Sequence, residues 1–228
     1  MKKLAGANGI RPNRKGIVAM FTLLLTACLL GGGTAQAGES RQNVYDSVIA
    51  KGWIVAREFD PDAQLTRGQA IKTIMRMAAL LPEDLGNLPD FADTADHPDA
   101  EIFRKARNYG IVTGGESNRF NPGANVTKMT LVIWLNRTFN LPDTVNFENK
   151  AVRDNLKTYN PEGYYAINKY LANKIIDLDQ SGKFHPRSGI TMGEFALIID
   201  RLDGVGLNEL KSLQYEGQPQ KEKILSPR

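Results

Sequence analysis

The chain has 228 residues, 42% hydrophobic and 24% charged, an ordinary globular balance with room for one or two domains. Its formal charge is +4, but five of the 29 basic residues (Lys2, Lys3, Arg11, Arg14 and Lys15) fall in the first fifteen positions, and no acid precedes Glu39. Residues 38–228 are therefore close to neutral, and the pI of about 9.1 supports no case for nucleic-acid binding.

The first element in chain order is a leader. A basic stretch, Met1–Lys15, precedes an apolar run from Ile17 to Leu30, and Ala35-Gln36-Ala37 follows a glycine cluster. A charged start, an apolar centre and a small-x-small end predict a secretory signal peptide over 1–37, cleaved after Ala37. The apolar run is short for a membrane span, which needs about 20 residues. Leu25-Thr26-Ala27-Cys28 resembles the lipobox of bacterial lipoproteins, in which Cys28 would become the lipidated N-terminus. Leu29 and Leu30, which continue the apolar run, speak against it. With no second thiol, no internal disulfide is expected.

Beyond the leader a pattern recurs three times. Phe59-Asp60-Pro61 leads to Thr66 and Arg76, Phe120-Asn121-Pro122 to Thr127 and Arg137, and Phe184-His185-Pro186 to Thr191 and Arg201, all at identical offsets. The proline fixes φ in a turn, and threonine is a good helix N-cap. Gln69 and Glu194, three residues after their threonines, complete capping boxes, whereas Thr130 breaks the box in the second frame. Apolar residues follow at helical spacing: Ala70, Ile71 and Ile74, then Leu131, Val132 and Leu135, then Phe195, Ala196 and Ile199. The three arginines sit near the predicted helix ends, where a cation suits the dipole.

A further helix is predicted upstream of each frame. Tyr45, Val48 and Ile49 run into Gly52-Trp53-Ile54-Val55; Ile102, Phe103 and Ala106 into Gly110-Ile111-Val112; Tyr164, Ile167, Tyr170 and Leu171 into Lys174-Ile175-Ile176. Gly52 and Gly110 fit a helix C′ position with φ > 0, so the turn at Lys174 should differ or carry strain. Asp93, Asp96 and Asp99 read as cap and first-turn acids for a helix starting at Ala100. Leu207, Leu210 and Leu213 allow one or two more helical turns, and Tyr215–Arg228 is polar enough to be disordered. Each unit is helix, turn, short apolar segment, loop, proline turn and capped helix, which cannot bury its own apolar face and must stack on its neighbours.

The middle copy carries a resemblance. Asp90-Phe91-Ala92-Asp93, then Gly110-Ile111-Val112-Thr113-Gly114, then Arg119-Phe120-Asn121-Pro122 and Val126-Thr127-Lys128 resemble an S-layer homology (SLH) domain, whose second helix opens on T-R-A-E. The first copy lacks the F-x-D start and has a shorter loop; the third has a degenerate start around Phe147-Glu148-Asn149. The resemblance divides the chain into repeats at 40–82, 88–141 and 146–204, with a polar tail at 205–228. It implies an all-α fold of three helix–loop–helix repeats, packed with pseudo-threefold symmetry around a central three-helix bundle. It also implies a surface protein, exported to the cell wall and attached non-covalently to a secondary cell-wall polysaccharide, often pyruvylated, or to peptidoglycan. The grooves between repeats are the binding places.

The residues agree with that expectation. A helix N-terminus suits an anion, and a guanidinium one residue past the cap can fork onto a carboxylate. Arg67 after Thr66 is then the best glycan-binding candidate, Lys128 after Thr127 a weaker one, and Met192 none. Trp53, in the turn of the first copy, stacks on a sugar or fills the core. No cofactor and no metal site are expected. Asp177–Gly182 looks like the start of a calcium loop, but its twelfth position is Ser188, where a glutamate is needed. His97 and His185 lie beside prolines in turns and lack partners at metal spacing. The chain has no G-x-S-x-G, H-E-x-x-H or P-loop motif, so a non-catalytic binding module is expected. An envelope hydrolase would need a catalytic domain, and only the tail at 205–228 follows the third copy. The alternative is an envelope adaptor or structural protein whose groove binds another protein.

Overall fold

A computed structural model describes residues 40–79, 88–139, 141–143 and 160–206. The expected leader with Cys28, the start of the third copy around Phe147, and the segments after Gly206 lie outside the described residues. Val44–Arg228 forms one unit and Met1–Asn43 another. Among the described residues the regular secondary structure is helical, as expected: α1 (40–50), α2 (Arg67–Met77), α3 (Ala100–Asn108), α4 (Lys128–Thr138), α5 (Pro161–Ala172) and α6 (Met192–Gly204).

The capped helices begin where the threonines predict. The hydroxyls of Thr66, Thr127 and Thr191 accept the amides of Gln69, Thr130 and Glu194. Gln69 and Glu194 return the bond to their cap amides, completing both boxes. Thr130 cannot, and its hydroxyl instead accepts from Thr127 Oγ1 at 2.9 Å. The apolar stripe of each capped helix is inside: Ile71, Ile74, Leu131, Leu135, Phe195 and Ile199 are fully buried. Burying each such side chain contributes about 1.5–3 kcal/mol.

The turns after α1, α3 and α5 share one geometry. Gly52 and Gly110 take φ of 72° and 69°, and Lys174 takes 58° at the third turn. Each donates its amide three residues back, to Ile49, Arg107 and Leu171, while the next amide reaches five residues back, to Val48, Ala106 and Tyr170. The Lys174 turn therefore does not differ; lysine takes on the left-handed conformation that glycine adopts without cost.

The three frame arginines do more than face a dipole. From the last turns of their helices, Arg76, Arg137 and Arg201 each donate from Nη1 to a turn carbonyl: Trp53 O at 3.3 Å, Ile111 O at 3.1 Å and Ile175 O at 3.2 Å. Each thereby fastens the capped helix to the turn of its own frame.

Contacts between frames follow one order. Helix α2 packs on α3, and α4 on α5. Lys72 on α2 meets Asp99 at 3.0 Å. Arg137 on α4 grips Glu162 of α5 with two bonds, of 2.6 and 2.8 Å. Lys51 after α1 meets Asp203 of α6 at 2.6 Å.

The acids before α3 are a correction to the sequence reading. Asp99 is the N-cap residue, but its side chain makes no capping bond; its carboxylate goes to Lys72, and its amide donates to His97 Nδ1 at 3.0 Å. Asp93 lies at neither the cap nor the first turn. Its two oxygens accept the amides of Phe120 and Asn121, both at 2.7 Å, from 27 and 28 residues away. Burial pushes the Asp93 carboxyl up, but these amides, with help from the nearby Arg119, take it below the usual carboxylate range.

Candidate functional site

The starts of the capped helices are where an anion was expected to meet free amides. Those amides are already bonded. Arg67 N donates to Ala124 O and Gly68 N to Pro122 O, both at 2.8 Å. Lys128 N and Met129 N donate to Ser188 O and Pro186 O, at 2.9 and 3.0 Å. Met192 N and Gly193 N donate to Ala63 O and Pro61 O, at 2.9 and 3.0 Å. Each helix start is thus saturated by the proline turn of another frame, and the three exchanges close a ring. Isolated bridges Gln64–Thr191, Thr66–Asn125 and Thr127–Gly189 mark the same seams. The anion chemistry of these places consequently rests on side chains, not on the helix termini.

One seam opens into a cleft of about 640 Å³, lined by Arg67, Asp93, Gly115, Arg119 and the turn Asn121–Ala124. Behind this lining, Arg67 rests against aromatic rings. The Arg67 guanidinium lies 4.8 Å from the centre of the Trp134 ring and 5.1 Å from that of Phe120. Beneath, Phe120 stacks on Phe91 at 5.3 Å and meets Phe103 at 4.6 Å. Arg67 Nε donates to Phe120 O at 2.7 Å. Burial lowers the Arg67 pKa, and the Asp93 carboxylate raises it back in part; arginine stays charged through shifts of this kind. A cation held over rings, with its Nε bonded, is preorganised, because rotamer freedom is already spent.

Arg119 was not singled out from the sequence. It is exposed on the cleft rim and acts on Asp93 electrostatically. Its signal was positional: it immediately precedes the Phe120-Asn121-Pro122 turn, but nothing in the sequence says that this turn docks on α2. Asp93 was read as a helix cap, and the structure makes it the residue that pins the cleft wall. Asn121 is held there in the left-handed region, at φ 54°.

The other site candidates fall elsewhere. Lys128 Nζ lies 3.3 Å from Glu194 Oε1, so its charge has an internal partner. Thr66 and Thr127 use their hydroxyls as caps. Trp53 is half-buried against the core, with Lys51 Nζ 4.8 Å from its ring centre, and is not among the residues lining the Arg67 cleft. At the third seam Met192 is buried and brings no charge.

The calcium-like stretch organises itself. Asp179 accepts the amides of Lys183 and Ser181, both at 2.8 Å, and the Ser181 hydroxyl at 2.7 Å, and it faces His185 Nε2 at 2.7 Å. The Lys183 amide first, then His185 and Ser181, hold its carboxyl far below the usual range. His185 is thus a turn histidine with an acidic neighbour, which the sequence reading had not given it. Among the described residues no group of three or more His, Cys, Asp or Glu is placed to hold a metal ion. None of the described helices is long and apolar enough to cross a membrane.

Two comparisons bear on this arrangement. The family description "S-layer homology domain" matches residues 90–131, which run from the start of the Asp93 loop into α4. A relative described as "S-layer protein", from Bacillus thuringiensis subsp. finitimus, is 26% identical over 199 residues. That match covers 78% of this chain and 23% of the relative, so the chain spans less than a quarter of the relative's length.

Proposed function

We propose that this chain, whose residues 90–131 match the S-layer homology domain and which is similar to an S-layer protein, is a non-catalytic cell-envelope module that attaches to an anionic wall glycan. The partner is secondary cell-wall polysaccharide, pyruvylated or not, or peptidoglycan, and the place of exposure is the cell surface. The observation that carries the proposal is the Arg67 guanidinium, held over the Trp134 and Phe120 rings and lining an open cleft with Arg119 on its rim. A guanidinium with one edge bonded keeps donors for a carboxylate, and the cleft offers room for a sugar ring beside it.

The same proposal takes 40–82, 88–141 and 146–204 as three repeats, related by a pseudo-threefold axis around α2, α4 and α6. The ring of exchanged amides supports it. The Arg67 cleft is the main site, the Lys128 seam is weaker, and the Met192 seam is silent.

Co-sedimentation of the purified chain with cell-wall sacculi tests this, before and after removal of the secondary polysaccharide. Pelleting lost with the polysaccharide is the expected outcome. Arg67→Ala is expected to weaken binding roughly tenfold or more, the scale of one charged hydrogen bond, with helicity by circular dichroism as the folding control. An Arg67→Ala chain that pellets as well as the Met192→Ala chain would remove the site. The second proposal, a protein-binding adaptor, gains if neither sacculus preparation pellets the chain; loss of arginine from the second and third helix starts is the observation behind it.

A further inference from the structure

The residue after each capping threonine is Arg67, Lys128 or Met192, and the third residue after it is Gln69, Thr130 or Glu194. The ring of exchanged bonds sets the first residue of one helix beside the start of another. At the second seam this brings Lys128 Nζ within 3.3 Å of Glu194 Oε1. Glu194 is held in place twice: its other oxygen accepts the Thr191 amide at 3.0 Å, and its own amide donates to Thr191 Oγ1 at 3.1 Å. At the first seam the corresponding residue is Thr130. It stands one turn before Trp134 on α4, and the Trp134 ring is the one that Arg67 covers. A hydroxyl there adds no carboxylate to Asp93, which acts on the guanidinium electrostatically while both its oxygens accept the Phe120 and Asn121 amides.

We propose that Glu194 is an internal carboxylate that occupies the cation of the Lys128 seam, and that Thr130, by leaving the same position uncharged, reserves Arg67 for an external anion. The inference rests on the proposed function and deepens it: the third residue of one capped helix sets the ligand preference of the preceding frame's cleft. A carboxylate tethered at the right place competes with a free ligand at high effective concentration. Being exposed by 25% and 48%, the pair is weak, at about a two- to fivefold change in an equilibrium, enough to rank two otherwise similar clefts.

Substituting glutamine for Glu194 keeps the capping box, as Gln69 does in α2, and removes only the charge. The test uses the purified full-length chain and, as probe, a methyl glycoside bearing a 4,6-linked pyruvyl ketal, titrated by NMR. In an Arg67→Ala background, Glu194→Gln is expected to strengthen probe binding about two- to fivefold, and adding Lys128→Met is expected to remove the gain. In the otherwise unchanged chain, Thr130→Glu is expected to weaken binding by a similar factor. A ligand-free readout runs beside these: acylation of the Lys128 amine, followed by peptide mapping, should be about two- to fivefold faster in Glu194→Gln. Unchanged acylation shows that Glu194 does not hold Lys128 and overturns the inference. Unchanged probe affinity in Glu194→Gln, with the parent chain binding normally, also overturns it and leaves the proposed function standing. A parent chain that binds neither probe nor sacculi sinks the proposed function and this inference together.

Discussion

The first and second seams are built from the same parts and end in different states. In both, a threonine-capped helix hands two amides to a proline turn, with all four bonds between 2.8 and 3.0 Å. The first seam adds a half-buried arginine on an aromatic slab and an acid, Asp93, that braces the turn. The second adds a lysine paired with a glutamate, and its turn is braced within its own loop by Asp179 and His185. Backbone geometry is therefore shared, and the seams differ in their side chains. The difference teaches that the charge state of a seam is set by two frames at once, the one supplying the cation and the one supplying or withholding its counter-charge.

The largest effect that would break this comparison is loss of the slab. Phe120 is fully buried and touches the rings of Phe91, Phe103 and Trp134. Phe120→Ala is expected to cost about 3–5 kcal/mol. Phe184→Ala, the same position at the second seam, should cost less, because Phe184 retains some exposure. Urea unfolding of the two variants ranks them; equal losses would show that the aromatic wall carries no special weight.

Next in size is the brace. Asp93→Asn removes a charge from two hydrogen bonds to amides, and a loss of about 1–2 kcal/mol is expected after allowance for its exposure. Because the folded Asp93 pKa lies below its unfolded value, its contribution is present above about pH 4 and fades as pH falls through the folded pKa. The parent chain should accordingly lose stability more steeply than Asp93→Asn between about pH 5 and pH 3. Parallel curves in acid would mean that the carboxylate is not the brace.

The smallest effect concerns the turns. Lys174 holds φ at 58° where Gly52 and Gly110 stand in the other frames. Lys174→Gly is expected to raise stability by about 0.5–1 kcal/mol by relieving that conformation. A drop in the melting temperature would show instead that the lysine side chain contributes more than the strain removes.

The sequence made the local half of this molecule legible. Thr66, Thr127 and Thr191 cap as expected, Gly52 and Gly110 turn the chain as expected, and the helical stripes are buried. Those features depend on neighbours within one or two turns, which spacing records. What stayed hidden involves partners far along the chain. Arg76 bonds a carbonyl 23 residues away, Asp93 an amide 27 away, Arg67 a carbonyl 53 away and Lys128 a carboxylate 66 away. The expectation of free amides failed for the same reason: spacing marks a helix start, but it says nothing of the loop that covers it.

The closed exchange of amides also sets a limit on growth. In an open solenoid each unit leans on the next, so the last one needs a special cap and more units can be added. Here the third helix start donates to the proline turn of the first frame, so every frame both gives and receives, and none is terminal. A fourth frame would find no unpaired donor at its predecessor, and a two-frame fragment would leave one helix start and one turn without partners. The exchange couples the three frames, so that a lesion in any one of them loosens both seams that it shares with the other two.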